Sequence, residues 1–369
     1  MEGHLHMFDF GDLKQLVEIN SWTHNKPGVD QTGQLMQQWL GELGFRCERY
    51  KRENIGDHLL FSTKSNESSP KLLLLGHLDT VFSPETFEGF SQDQYWVYGP
   101  GVCDMKGGNF VALQALRNVF TQQGELCNVD FLLVSDEETG SDDSRELTKE
   151  LATNYAVCID FEAAGENHEV VIGRKGVATY HIDLSGKAAH AGNNYALGCD
   201  ANLAAAKMMI TLSELTDLAA GTTVNVGKME GGIGANTISP QAHLTVEARF
   251  TSLEEQRRVL ESIESIAQQP QVVGVKTELS GGLQRDVMVP TAAQAEFLAQ
   301  IEVALGYSLL TEQRGGVSDA NVVAGMGVAT LDGFGPFGDG DHTHNERALK
   351  ASFTRRIDEV TKILTLYSV

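Results

Sequence analysis

The pattern of apolar and polar positions divides the chain into parts with different predicted structure. Over the first 170 residues, apolar runs of strand length alternate with segments of helical period. Strands are expected at 71–75, 129–134 and 156–161, and helices at 35–43, 111–120 and 144–152. Continuous apolar runs are typical of strands covered on both faces, so this part predicts an α/β fold with a mostly parallel sheet flanked by helices.

The pattern changes near residue 176, where apolar and polar residues begin to alternate. Alternation over 177–184 suits a sheet with one covered face and one solvated face. The following segments are predicted in the order helix, strand, strand, helix, strand, at 201–218, 222–229, 243–250, 252–268 and 273–279. The order βαββαβ is that of a ferredoxin-like α+β unit.

After this stretch the chain returns to the first pattern, with a helix at 291–305, a strand at 328–331 and a closing helix from Glu346. A chain of 369 residues also exceeds the roughly 250 to 300 residues that one core serves. We therefore predict one domain built from residues 1–175 and 287–369, with a second domain inserted at 176–286.

Charge and composition exclude several classes of function. The chain has 28 Lys and Arg against 50 Asp and Glu, a formal net charge of -22, which repels nucleic acid. No apolar run approaches the roughly 20 residues that span a membrane, and no signal peptide is visible, so no membrane partner is expected. Five widely spaced cysteines without a Cys-x-x-Cys pair predict reduced thiols in a cytoplasmic protein.

Candidate chemistry begins at the end of the first buried strand, where His77 and Asp79 follow the run 71–75. Ligands of open α/β sheets collect at the carboxyl ends of strands. His77 is therefore a candidate zinc ligand, with a nearby carboxylate holding its second ring nitrogen. The alternative is an ordinary polar residue at a strand end.

Asp104 stands between glycines, directly before a predicted helix. It is either an N-cap or a carboxylate that bridges two cations, and the glycines favour the second because they let the backbone turn sharply.

Adjacent Glu137 and Glu138 follow the second buried strand, where like charges raise each other's pKa unless a divalent cation binds. One of the pair can then be a ligand and the other a general base, although a solvated acidic turn remains the alternative.

Two further positions each offer a pair of candidates. The third strand ends in Asp160 and Glu162, of which only one needs to point at the site, and a late loop carries His342 and His344. Two histidines and three carboxylates from converging strand ends and loops form a mixed nitrogen and oxygen set. Such a set suits two zinc or similar ions with an open position for water.

Nine segments in order resemble the co-catalytic zinc peptidase family, which contains glutamate carboxypeptidase of the carboxypeptidase G type, acetylornithine deacetylase, succinyl-diaminopimelate desuccinylase and aminoacylase. The segments are GHLDTV, GPGVCDMKGG, SDEETGS, a strand ending in FE, GRKG, GKAAHAG, GGIGANTISP, GGVSDAN and GDHTHNE. The resemblance covers nearly the whole chain. It implies a zinc-exopeptidase-like catalytic domain with an inserted ferredoxin-like dimerisation domain, hence a homodimer.

The resemblance also implies a role for each matching residue. Metal ligands would be His77 and Glu162 for the first zinc ion, Glu138 and His342 for the second, and Asp104 as the bridge. Asp79 would orient His77, Glu137 would be the general base and then the general acid, and His190 would stabilise the oxyanion in the partner subunit's site. Substrate contacts would come from Asn236 and Arg174, with Arg285 as the match for a carboxylate anchor.

The leading hypothesis is thus a dinuclear zinc amidohydrolase that releases a C-terminal residue, such as glutamate, from a peptide or N-acyl substrate, with Co²⁺ or Mn²⁺ as substitute metals. The alternative with the same chemistry is an N-acyl amino acid deacylase such as acetylornithine deacetylase or succinyl-diaminopimelate desuccinylase. The alternative from a different class is a metal-binding scaffold without catalysis.

Overall fold

The computed structural model describes residues 9–66, 69–269 and 271–368. The helices are α1 Gly11–Val17, α2 Lys26–Glu42, α3 Lys106–Gln123, α4 Ser144–Ala152, α5 Ala201–Ser213, α6 Leu253–Gln268, α7 Ala292–Leu305, α8 Ala320–Gly325 and α9 Lys350–Tyr367. The strands are β1 Arg46–Tyr50, β2 His58–Ser62, β3 Leu72–His77, β4 Ser91–Gln92, β5 Trp96–Tyr98, β6 Val129–Val134, β7 Val157–Asp160, β8 Val170–Arg174, β9 Gly176–Ser185, β10 Thr223–Gly231, β11 Gln241–Phe250, β12 Lys276–Arg285, β13 Thr311–Arg314, β14 Ala329–Leu331, β15 Gly338–Asp339 and β16 Arg347–Leu349.

The largest sheet has the strand order β1-β2-β6-β3-β7-β14. Strands β6, β3, β7 and β14 run parallel, while β1 and β2 pair antiparallel with each other and β2 with β6. The predicted α/β class with a mostly parallel sheet is confirmed. The antiparallel edge is not visible in the apolar pattern because β1 is polar and half-exposed.

Complete burial explains why the central strands read as continuous apolar runs. Every residue of β3 and β6 is buried, and α3 is buried along most of its length. Helix α3 contacts Phe10 and Phe353 through Phe110, and it ends at Gly124 in the left-handed conformation that favours glycine. The core therefore holds the carboxyl ends of the parallel strands in a fixed arrangement.

Strands β9 to β12 form a separate antiparallel sheet in the order β10-β11-β9-β12. With α5 and α6 between the strands, the chain follows the order βαββαβ, so the ferredoxin-like class is confirmed. Burial alternates along β9 and β11, as expected for one covered face. Asp200 and Ser252 cap the two helices by accepting the N–H of Leu203 and Glu255.

Strand β12 differs from the prediction, which ended it at residue 279. The glycines at 281 and 282 look like a break, but the strand continues through them to Arg285. At Gly281 the φ angle is +87°, and a Cβ atom would lie 2.2 Å from the carbonyl oxygen of Thr179. Glycine is needed there because the two strands approach closely, not because the strand ends.

The described residues form two compact units. One comprises those of Met1–Gly173, Pro290–Arg314 and Ser318–Val369, and the other comprises those of Arg174–Val289 and Gly315–Val317. The three-residue segment of the second unit has no periodicity from which a sequence pattern could predict it. No helix in these parts of the chain is long and apolar enough to cross a membrane.

The closing helix begins at Lys350, so its predicted start at Glu346 is wrong. Residues Arg347–Leu349 instead form β16, which pairs with β15 and β5 in a small antiparallel sheet. Glu346 directly precedes β16, and its buried carboxylate accepts backbone N–H groups from a different loop.

Candidate metal centre

Three neighbouring parallel strands bring acidic residues and a histidine to one edge of the large sheet. His77 is the last residue of β3, Glu162 lies two residues beyond β7, and Glu137 and Glu138 lie in a 3₁₀ turn after β6. Because β6, β3 and β7 are parallel neighbours, their carboxyl ends meet. The sequence positions at three strand ends thus become one cluster.

Asp104 lies between two histidines. Its Oδ1 is 3.1 Å from Nε2 of His77, and its Oδ2 is 3.2 Å from Nε2 of His342. The N-cap residue of α3 is Met105 and not Asp104. Each oxygen of this carboxylate faces a different imidazole, which is the arrangement a bridging ligand requires.

The remaining candidates complete two groups around these histidines. Nε2 of His342 is 3.0 Å from Oε2 of Glu138, and Nε2 of His77 is 3.7 Å from Oε1 of Glu162. One ligand atom each from His77, Asp104 and Glu138 lies within 4.8 Å of the others. The same holds for His77, Glu137 and Glu162.

The competing members of the two pairs lie elsewhere. His344 stacks on Phe87, with ring centroids 5.6 Å apart, and His342 is the histidine that reaches the carboxylates. Asp160 accepts the N–H groups of Phe161 and Ala320, and Glu162 is the acid beside His77. Backbone geometry thus separates residues that the sequence leaves as alternatives.

Burial closes the site on one side and leaves it open on the other. The His77 side chain is 1% exposed and that of Glu138 is 4% exposed, whereas the His342 side chain is 56% exposed. His342 adopts a φ angle of +59°, which is uncommon for a residue with a side chain. The open side at His342 is where a substrate can reach the cluster.

Burial and like charge perturb the acids of the cluster. Burial and the charge of Asp104 raise the pKa of Glu138 to about 7, although the hydrogen bond to His342 opposes the change. Burial and Asp104 likewise raise the pKa of Glu162. Hydrogen bonds to Asp104 and Glu138 raise the pKa of His342 to about 11. Divalent cations would relieve the cost of holding these acids ionised together.

Asp79 contacts both halves of the cluster. Nδ1 of His77 is 3.0 Å from the carbonyl oxygen of Asp79 and 3.4 Å from its Oδ1. The second carboxylate oxygen of Asp79 accepts the hydroxyl of Thr23 at 2.7 Å and the backbone N–H of Glu138 at 3.2 Å. Asp79 therefore holds the imidazole by a hydrogen bond to its carbonyl oxygen, and its carboxylate holds the turn that carries Glu138.

Two supporting residues are missed by the sequence reasoning. Asn109 donates its side-chain amide to the carbonyl oxygen of His77 at 2.7 Å, and Sδ of Met105 accepts the N–H of His77 at 3.1 Å. Asn109 is a fully buried polar residue within an otherwise apolar stretch of α3, which was the available signal.

His190 and Asn236 are neighbours in the second unit. The N–H of Ala191 donates to the carbonyl oxygen of Asn236 at 2.9 Å. Nδ1 of the exposed His190 accepts the N–H groups of Gly192 and Asn193, each at 3.2 Å. A neutral His190 therefore carries its proton on Nε2, where it can be donated to an oxyanion.

The two candidate arginines also belong to the second unit, and both are buried. Arg174 donates from Nη1 to the carbonyl oxygen of Gly316 at 3.1 Å. Arg285 is 1% exposed and lies in β12 opposite Val177. Their roles toward a substrate stay predictions.

The side chains present fit zinc. Two imidazoles and three carboxylates supply nitrogen and oxygen donors, and the hydrogen bond from Nδ1 of His77 would leave Nε2 free as a ligand atom. The second group would use Glu138, His342 and the second oxygen of Asp104. The fold and this set of donor side chains are typical of metal-dependent hydrolases of the α/β type.

The sequence profile of Peptidase family M20/M25/M40 matches residues 73–365, and the chain belongs to this family. The predicted resemblance to the co-catalytic zinc peptidases is thereby confirmed. Members of the family are metal-dependent hydrolases that act on amide bonds.

Several relatives are similar over most of their length. Carboxypeptidase G2 from Pseudomonas sp. (strain RS-16) is 28% identical over 353 residues, which cover 90% of this chain and 82% of that protein. Succinyl-diaminopimelate desuccinylase from Sulfurimonas denitrificans is 25% identical over 338 residues, covering 86% and 84%. The solved structure of a tripeptidase from Staphylococcus aureus has a TM-score of 0.81 at 23% identity, covering 98% and 99% of the two chains.

Proposed function

We propose that this protein is a dinuclear zinc amidohydrolase that releases a C-terminal amino acid, glutamate first among the candidates, from a peptide or N-acyl substrate. The observation that carries the proposal is the Asp104 carboxylate, whose two oxygens each face one histidine. His77 and Glu162 would hold one ion, Glu138 and His342 the other, and Asp104 both. The similarity to carboxypeptidase G2 supports the choice of a C-terminal residue.

When bound, zinc supplies a lowered pKa for water and polarisation of a carbonyl group. The chain itself supplies the proton transfer. Glu137 lies in one group with His77 and Glu162, and it accepts the proton of the attacking water and returns it to the leaving nitrogen. His190 donates from Nε2 to the oxyanion, in the partner subunit's site. Asn236 and Arg174 contact the substrate, and Arg285 anchors its carboxylate.

Two isosteric changes at adjacent positions test the division of roles. Glu137→Gln should bind as much zinc as the wild type but lose turnover about 10²- to 10⁴-fold, because only the general base is removed. Glu138→Gln is the matched control. It should lose one zinc equivalent, because Glu138, whose Oε2 lies 3.0 Å from Nε2 of His342, is a proposed ligand of the same ion as that histidine. Metal content by mass spectrometry and turnover are measured on the same samples. Full activity of Glu137→Gln would show that another group is the base.

The second candidate is an N-acyl amino acid deacylase, such as acetylornithine deacetylase or succinyl-diaminopimelate desuccinylase, and it is favoured by the similarity to a desuccinylase. The two candidates share the metal site and differ in the substrate. Side-by-side turnover of Glu-terminated peptides, N-acetylornithine and N-succinyl-diaminopimelate separates them. Absence of amide hydrolysis with zinc, cobalt or manganese would instead support the non-catalytic scaffold.

A homodimer through the inserted unit is part of the proposal. β10 is an edge strand, and apolar side chains are exposed beside it on α5 and on the strand, at Leu203, Met209, Ile210 and Met229. Such a surface suits burial against a second copy. Light scattering that finds only a 40.1 kDa species under active conditions would contradict it.

The five free cysteines support a cytoplasmic location.

A further inference from the structure

The buried side chain of Glu346 accepts three backbone N–H groups from the loop that leads to Asp104. Its Oε2 accepts the N–H of Gly101 at 2.9 Å. Its Oε1 accepts the N–H groups of Cys103 at 2.9 Å and of Asp104 at 3.0 Å. The residue is only 1% exposed, so these hydrogen bonds are made in a region from which water is excluded.

The loop needs such an acceptor because it turns too tightly to satisfy its own N–H groups. Gly101 has a φ angle of +80°, and Val102 is bonded back to Gly99. The N–H groups of Gly101, Cys103 and Asp104 all point toward the carboxylate of Glu346. Three convergent N–H dipoles are a favourable environment for a carboxylate and hold the backbone of Asp104 in place.

Glu346 also belongs to the loop that carries His342. Its N–H donates to the carbonyl oxygen of Thr343 at 3.2 Å, and the N–H of Thr343 donates to the carbonyl oxygen of Gly340 at 2.9 Å. The N–H of Glu346 is thus bonded within the His342 loop, while its carbonyl oxygen and its side chain accept N–H groups of the loop that leads to Asp104. Glu346 therefore connects the backbone that carries Asp104 with the backbone that carries His342. Oδ2 of Asp104 and Nε2 of His342 face each other at 3.2 Å.

We propose that Glu346 is a positioning residue that sets the separation between the Asp104 carboxylate and the His342 imidazole. It thereby controls the affinity for the ion held by Asp104, Glu138 and His342. The inference rests on the proposed two-metal site. Glu346 is not among the proposed ligands of that ion. If its role were only structural, replacing it would lower stability without weakening the binding of one zinc ion more than the other.

Glu346→Gln tests this inference because it keeps the shape of the side chain. The amide of glutamine would place a donor against the N–H of Gly101, so the loop must shift. We expect one of two zinc equivalents to bind about 10- to 100-fold more weakly, as is typical when a group that orients a ligand is removed, and the other equivalent to be unchanged. Zinc affinities are measured by competition with a chelator on the full chain, without reference to turnover.

Two comparisons separate positioning from general destabilisation. Ile363→Ala, in the core of α9, removes a buried apolar side chain and should lower the melting temperature without changing either zinc affinity. Hydrogen exchange of the segment 99–106 should accelerate in Glu346→Gln and stay slow in Ile363→Ala. Equal zinc affinities in Glu346→Gln and the wild type would overturn the inference.

A second variant covers the case in which Glu346→Gln does not fold. Glu346→Asp keeps the charge but is one methylene shorter, so it cannot reach both ends of the loop, and the same zinc equivalent should weaken. Unchanged zinc binding in this variant would also overturn the inference. A wild type that binds a single ion would refute the two-ion proposal, and the affinity of that ion in the variants would still decide the role of Glu346.

Discussion

Asp57 joins three segments of the first unit, and its replacement by asparagine should cost measurable stability. Its Oδ1 is 2.9 Å from Nζ of Lys26 and accepts the N–H of Arg52 at 2.9 Å, while its Oδ2 is 3.2 Å from Nη1 of Arg49. The carbonyl oxygen of Asp57 also accepts the hydroxyl of Ser135, which directly precedes the acidic turn. The Asp57→Asn change removes the charge and keeps the shape.

The magnitude follows from the pKa of Asp57. Burial raises this pKa, but Lys26, the N–H of Arg52 and Arg49 outweigh burial and lower it from 3.8 to about 2. If the whole lowering of the pKa is converted into free energy of unfolding, Asp57 contributes about 2.4 kcal/mol. Because Lys26 and Arg49 are partly exposed and screened by solvent, we expect about 1 to 2 kcal/mol. Because the folded pKa is the lower one, the stabilisation is complete above about pH 5 and disappears as the pH falls toward 2.

Urea unfolding of the wild type and Asp57→Asn at a series of pH values measures this contribution. The difference in unfolding free energy should be about 1 to 2 kcal/mol near pH 7 and about half of that near pH 3. Glu53→Gln, an exposed acid in the same loop, is the control and should stay within about 0.5 kcal/mol of the wild type. A difference that does not change with pH would refute the electrostatic reasoning.

Two further predictions concern the metal site. Asp79→Asn should bind zinc about 10- to 100-fold more weakly, since the amide disturbs the contacts to His77 and to the N–H of Glu138, and equal affinity by chelator competition would contradict this. His342→Ala should lose one zinc equivalent by mass spectrometry, whereas His344→Ala, whose ring stacks on Phe87, should keep both. Loss of zinc in His344→Ala alone would reverse the assignment of the two histidines.

The sequence predicts most of this arrangement because strand ends carry the chemistry. The runs before His77, Glu137 and Glu162 are continuously apolar and of strand length, as is typical of parallel strands, and the carboxyl ends of parallel neighbours meet at one edge. The switch to alternating residues likewise identifies the inserted sheet, since one of its faces is covered. These are properties of single segments, and local patterns record them.

Contacts between distant segments are not recorded in local patterns. Glu346 and the Asp104 loop are more than 240 residues apart, and only the fold brings the carboxylate to the three N–H groups. The sequence therefore presents Glu346 as an acid at a helix start. Local patterns also cannot decide between Asp160 and Glu162. The carboxylate of Asp160 accepts the N–H groups of Phe161 and Ala320, and the second of these lies in a distant segment of the chain.

The acids around Asp104 differ from other poorly exposed acids of the first unit in the side chains that pair with them. Asp130 has Nζ of Lys71 at 2.6 Å, and Glu359 has guanidinium groups of Arg355 and Arg356 at 2.8 and 2.6 Å. These pairs are already compensated within the fold. Within the described parts of the chain, no lysine or arginine forms an ion pair with the acids beside His77 and His342, at Asp104, Glu138 and Glu162. An overall charge of -22 does not indicate a metal site, but acids whose ion-pair partners are imidazoles, the usual nitrogen ligands of zinc, favour one, because a divalent cation would relieve their mutual repulsion.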